Sequence, residues 1–212
     1  MNQLNEIVAR LSSPFLNRRW SDGEVQVAAV LDDFSSHCFS RAVNIWQVDP
    51  HQFKLDIPLI KPDFLLVESA WQGNEGKWRY MVTSARGPKP PLVELVKLCR
   101  EAGIPTVFWN KEDPPHFKEF LPTARLFDYV LTTDAEMIPQ YKEKTDAVGV
   151  ELLRFAADAT LHTPRRTDGY RHGEIAFAGQ YFAHKFPERR QQMEILFRAA
   201  EKYDFSIYSR VL

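Results

Sequence analysis

The apolar positions of this chain fall into short, dense runs separated by polar segments. Residues 25–31 (Val-Gln-Val-Ala-Ala-Val-Leu), 64–68 (Phe-Leu-Leu-Val-Glu), 106–110 (Thr-Val-Phe-Trp-Asn) and 129–132 (Tyr-Val-Leu-Thr) are β-branched, aromatic and nearly continuous in hydrophobicity. Runs of this kind suit strands buried on both faces. Residues 147–155 read as a further strand. Between the runs the period lengthens. Leu92, Val93, Leu95, Val96 and Leu98 sit at helical spacing, with Pro91 at the opening and Gly103 at the close. Residues 116–125 and a short segment running to Tyr141, with Asp134 as its N-cap, read as helices too. Near the start, Leu4, Ile7, Val8 and Leu11 give a helical pattern that Ser12-Ser13-Pro14 interrupts. Residues 32–38 and 69–78 read as polar loops, and 47–58 as an irregular connection. Strand, loop and helix in repeated order argue for an α/β protein with a parallel sheet and helices on both faces.

The pattern changes at residues 160–173, where Thr-Pro, Arg165-Arg166, Asp168-Gly169 and Arg171-His172-Gly173 leave few apolar positions. That composition predicts a linker. After it come a strand at 174–178, a helix at about 187–202 and a strand at 204–209. Pro187 suits a first helical turn, and Glu188 complements the positive helix end. One β-α-β unit buries too little surface to stand as a domain. It is expected to open a second domain whose remainder lies beyond this chain. The division read from the sequence is therefore 1–159, a linker at 160–173, and 174–212.

Composition adds boundaries. The chain has 212 residues, 44% hydrophobic and 26% charged, with a formal net charge of −1. A globular protein is indicated, with no global pull toward nucleic acid or an anionic membrane. Cys38 and Cys99 lie far apart in neither a metal-ligand nor a redox spacing, which fits a reduced, cytoplasmic setting. No apolar run approaches the roughly 20 residues that span a bilayer, and residues 1–10 lack the order of a signal peptide.

The candidate chemistry gathers where predicted strands end. Asp32, Asp33, Ser35, Ser36 and His37 follow the first run. Glu68, Ser69, Trp71, Gln72 and Asn74 follow the second, Asn110, Lys111, Glu112, Asp113 and His116 the third, and Thr133 and Asp134 the fourth. In open α/β sheets ligands bind beyond the carboxyl ends of the strands, so this polar rim is the expected pocket. Asp33, His37, Glu68, Trp71, Asn74, Asn110 and Lys111 are candidates for binding, and Trp71 and Trp78 offer flat faces for a sugar. Glu112, Asp113 and His116 are candidates for general base catalysis, and their spacing does not choose among them. A nucleophile elbow, a Walker lysine loop, a Gly-x-Gly-x-x-Gly turn and a zinc-type spacing are all missing. Gly179 lies between a strand and a helix, with Arg189 and Arg190 nearby, where a phosphate could approach the backbone.

Several of these motifs occur together in one family. Residues 66–74 (Leu-Val-Glu-Ser-Ala-Trp-Gln-Gly-Asn), 109–114 (Trp-Asn-Lys-Glu-Asp-Pro), 127–134 (Phe-Asp-Tyr-Val-Leu-Thr-Thr-Asp) and Phe177-Ala178-Gly179 with Pro187-Glu188-Arg189-Arg190 resemble the spore maturation protein CgeB family. The resemblance implies a glycosyltransferase-like protein with two Rossmann-like domains, the GT-B arrangement. An N-terminal acceptor-side domain would be followed by the start of a nucleotide-sugar-binding domain. Gly179 and Arg189 would then face the donor phosphates. The rim residues would hold the glycosyl acceptor, and the chemistry would need no metal and no cofactor beyond the donor. The alternative is a non-catalytic carbohydrate- or nucleotide-binding module. The incomplete second unit leaves room for a homo-oligomer or a partner chain to complete it.

Overall fold

A computed structural model of the chain describes residues 25–84, 86–155, 174–182 and 184–209. The expected N-terminal helix and the linker at 160–173 lie outside them. The chain divides into two compact units, Met1–Asp158 and Ala159–Leu212.

In the first unit a six-stranded, wholly parallel sheet runs in the order β2-β1-β3-β4-β5-β6. Its strands are β1 (Gln26–Val30), β2 (Asn44–Gln47), β3 (Phe64–Glu68), β4 (Thr106–Asn110), β5 (Tyr129–Thr132) and β6 (Gly149–Leu152). The helices between them are α1 (Asp33–Phe39), α2 (Phe53–Ile60), α3 (Pro90–Glu101), α4 (Phe117–Ala124) and α5 (Ile138–Lys144). The architecture is a doubly wound, Rossmann-like α/β sheet. From β1 the chain winds outward to β2, then crosses back over β1 to lay down β3 and the strands beyond it. The direction of winding therefore reverses between β1 and β3.

The runs that predicted strands explain the core. β3, β4 and β5 are buried at every position. Strand alternation divides their side chains between two layers. Ala28, Val30, Leu65, Val67, Phe108 and Val130 meet Phe53, Ile57, Leu92, Leu95 and Phe120 on one face. Val27, Ala29, Leu31, Leu66, Trp109 and Leu131 form the other, with Phe39 of α1 against Trp109. Trp78 and Tyr141 are among the largest side chains wholly withdrawn from solvent.

Two segments differ from the expectation. Residues 32–38 are mostly helical rather than loop, because Asp32 accepts a hydrogen bond from Ser35 N–H at 2.9 Å and so caps α1. The irregular connection at 47–58 contains the end of β2 and most of α2. β2 is a four-residue edge strand with no apolar run to announce it. α2 carries Pro58 in its interior, which reads as a breaker although the helix continues to Ile60 before Lys61 turns left-handed at φ 49°.

The described part of the second unit is one β-α-β: β7 (Glu174–Ala178), α6 (Pro187–Ala200) and β8 (Asp204–Tyr208), with the strands paired in parallel. Phe197 of α6 packs against Phe177 and Phe205, with ring centroids at 5.0 and 5.4 Å.

Candidate functional site

At the carboxyl ends of the first unit's strands, the two-residue period sorts the polar side chains into two clusters. Glu68 is register-paired with Trp109, and Lys111 follows two residues later on the same face. Asn110 is register-paired with Thr132 on the opposite face.

The first cluster is ionic. Lys111 Nζ lies 3.1 Å from Glu68 Oε1 and donates to Asp32 Oδ2. Asp32 N–H donates to Glu68 Oε1, and Lys111 N–H to Ser69 Oγ at 2.9 Å. Glu68 is completely buried, and burial pushes its carboxyl above the usual range although the Lys111 charge opposes this. Burial works against the charge on Lys111 too, but Glu68 and Asp32 outweigh it and hold the ammonium above its ordinary value. For Asp32, burial is outweighed by hydrogen bonds from Lys111 and Ser35 N–H, and its carboxyl sits low. These residues come from β1, β3 and β4, so the cluster lies where the winding reverses, the expected ligand position in such sheets.

The second cluster surrounds Asp113. Its carboxylate accepts from Asn110 Nδ2 at 2.8 Å, Thr132 Oγ1 at 2.6 Å and Tyr141 OH at 3.0 and 3.1 Å. Asn110 Nδ2 also donates to Tyr141 OH at 2.7 Å, and its Oδ1 accepts from Glu112 N–H at 3.1 Å. Burial pushes Asp113 up to about 6, against the hydrogen bonds from Thr132 and Tyr141, and the charge of Asp134 adds to the rise. A carboxyl raised in the fold favours the native state while protonated. Stability contributed here is therefore greatest below the unfolded value and falls as pH rises through both values. For this half-buried group, after solvent screening, stability is expected to fall by roughly 1–2 kcal/mol between about pH 4 and pH 7. Urea unfolding across that range measures it, and Asp113→Asn should remove this component. An unchanged slope in the variant would assign the dependence elsewhere.

The other candidates occupy different settings. His116 stands at the start of α4, with Nδ1 3.5 Å from Glu119 Oε1 and its ring edge-on to Trp71 at 5.4 Å. Trp71 also meets Phe120 at 5.2 Å and is half-buried. Asp33 and His37 are exposed on α1. Asn74 is buried, and its Nδ2 donates to Val48 O at 2.8 Å. Trp78 is wholly buried with its indole N–H on the same carbonyl at 2.7 Å, so it presents no face to a sugar. In the second unit the Gly179 N–H donates to Tyr208 O at 3.0 Å, extending the strand pairing. A Cβ at Gly179 would lie 2.8 Å from the Phe177 ring, which gives this glycine a packing reason of its own. Arg189 is exposed on α6.

Sequence reasoning placed the rim but missed Thr132 and Tyr141 as partners of Asp113. Thr132 was within reach as the last residue of a predicted strand. Tyr141 carried no signal, being an aromatic residue 28 positions from Asp113. Among the described residues no group of three His, Cys, Asp or Glu side chains is placed to hold a metal ion, and no helix is long and apolar enough to cross a membrane.

The fold and rim define a doubly wound α/β protein with a polar rim at the carboxyl ends of its strands. No family model matches this chain, and neither a curated protein nor a solved structure matches it.

Proposed function

We propose that this chain supplies the acceptor-side part of a GT-B-type glycosyltransferase, moving a sugar from a nucleotide-sugar to an acceptor. The observation that carries the reading is the succession of two parallel α/β units in one chain, six strands and then a β-α-β. The motif resemblance, which runs from about Val25 to the C-terminus, supports it.

In this reading the carboxyl rim of the first sheet receives the acceptor. Asp113 is the preferred base: at about 6 its carboxyl suits proton transfer near neutral pH, and Thr132, Tyr141 and Asn110 fix its orientation. Glu112 and His116 stand beside it in the chain. Asp33, His37, Glu68, Trp71, Asn74, Asn110 and Lys111 are the wider binding set, and Gly179 with Arg189 stands toward the donor phosphates.

The test is calorimetry of the full chain with UDP-, GDP- and dTDP-sugars, beside donor-hydrolysis and transfer assays. Binding is expected, with turnover once a homo-oligomer or partner chain completes the second unit, and Asp113→Asn should then cut turnover by about 10²–10⁴-fold while donor affinity is kept. Absence of nucleotide-sugar binding would sink the reading. Binding without turnover even when the second unit is completed would instead favour a non-catalytic module.

A further inference from the structure

Two polar atoms among the described residues are buried without a hydrogen-bond partner: Glu68 Oε2 at the end of β3 and Ser35 Oγ in the first turn of α1. The Ser35 hydroxyl stands beside both Asp32 and Glu68 and favours their charged forms, yet it is in hydrogen-bonding geometry with neither. Nearly all buried polar atoms in folded proteins are paired, and an unpaired one costs about 1–3 kcal/mol, more if charged. Every other acceptor oxygen of the two carboxylates has a donor: Ser35 N–H and Lys111 Nζ on Asp32, Asp32 N–H and Lys111 Nζ on Glu68 Oε1.

The two orphan atoms lie where the direction of winding reverses. Side-chain exposure falls from 41% at Asp32 through 10% at Lys111 to 0% at Glu68, so a ligand approaching from solvent meets the ion pair first. Lys111 already supplies the cation between the carboxylates. The missing group is therefore a neutral one that can both donate and accept. A hydroxyl does this: its O–H reaches Glu68 Oε2 while its oxygen accepts from Ser35. A second hydroxyl on the adjacent carbon would then meet Asp32.

We propose that the crevice beyond the carboxyl ends of β1 and β3 binds a vicinal diol of a sugar. Glu68 and Ser35 hold one hydroxyl and Asp32 the other, and Lys111 moves off Asp32 as the ligand enters. This deepens the acceptor-side reading and rests on it.

The test is an amide-resonance titration of the full chain with methyl α-glucoside, methyl α-mannoside and glycerol, run beside the nucleotide-sugar panel. Saturable shifts at Ser35, Glu68 and Lys111 are expected for the glycosides, with dissociation constants of about 1 mM, roughly −4 kcal/mol. Ser35→Ala and Glu68→Gln, each checked for a native spectrum, should each weaken binding at least ~10-fold, the equivalent of 1.4 kcal/mol. Glycoside shifts confined to Trp71 and His116 and unchanged in Ser35→Ala would overturn the crevice and leave the acceptor-side reading standing. Nucleotide-sugar binding with no glycoside shifts would overturn the crevice also. Silence toward every probe would overturn both.

Discussion

Lys111→Met is expected to destabilise the first unit by about 3–5 kcal/mol near neutral pH, the usual cost of removing one partner from a buried ion pair. Methionine fills much the same volume but leaves Glu68, fully buried, with no opposing charge. Asp32 can turn toward water, whereas Glu68 cannot. The cost should depend on pH in a definite sense. Glu68 already has a raised carboxyl in the native protein, and loss of Lys111 removes the largest influence that opposes the rise. An acid whose folded value lies above its unfolded one penalises the fold only when it is forced to ionise, and protonation relieves that penalty as pH falls. The difference between variant and parent should therefore narrow from about pH 7.5 to about pH 5. Glu68→Gln in the Lys111→Met background should recover much of the loss by replacing the stranded charge with an amide. Urea unfolding at both pH values checks each point. A loss under about 1 kcal/mol with no pH dependence would mean that the pair behaves as an exposed one.

That prediction rests on contacts the sequence could not supply. Strand positions were legible because β3, β4 and β5 are buried on both faces and leave an unbroken apolar signature. The carboxyl rim followed from them, since each run ends in polar residues. The edge strand β2 and helix α2 were not legible: one is short and half-exposed, the other contains Pro58. Pairing at the rim was beyond local pattern altogether. Asp32 and Lys111 are separated by 79 positions, and strand order alone brings them together. Once the order is known, the two-residue period explains why Lys111 joins Glu68 while Asn110 turns to Thr132 and Asp113. Sheet register, not motif spacing, divides the rim into an ionic crevice and a hydrogen-bonded carboxylate.

Burial separates the two tryptophans that follow β3, although both pack with the same core layer. Trp78→Ala is expected to cost about 3–5 kcal/mol, as for other large core aromatics. Trp78 is wholly buried beside Val30, Val48 and Val82 in the core layer, and its indole N–H donates to Val48 O. Asn74 donates to the same carbonyl, so Trp78→Phe leaves that oxygen paired and should cost only about 1–2 kcal/mol. Trp71 differs: it is half-buried, edge-on to His116 and Phe120, and belongs to the rim. Trp71→Ala should lower stability less than Trp78→Ala and, on the acceptor-side reading, weaken glycoside binding in a protein that remains folded. Thermal unfolding and the glycoside titration, run on all three variants, separate the roles. Equal losses of stability for the two alanine variants, with glycoside binding unaffected by Trp71→Ala, would make both tryptophans core pillars. The rim would then recognise its ligand through hydrogen bonds alone.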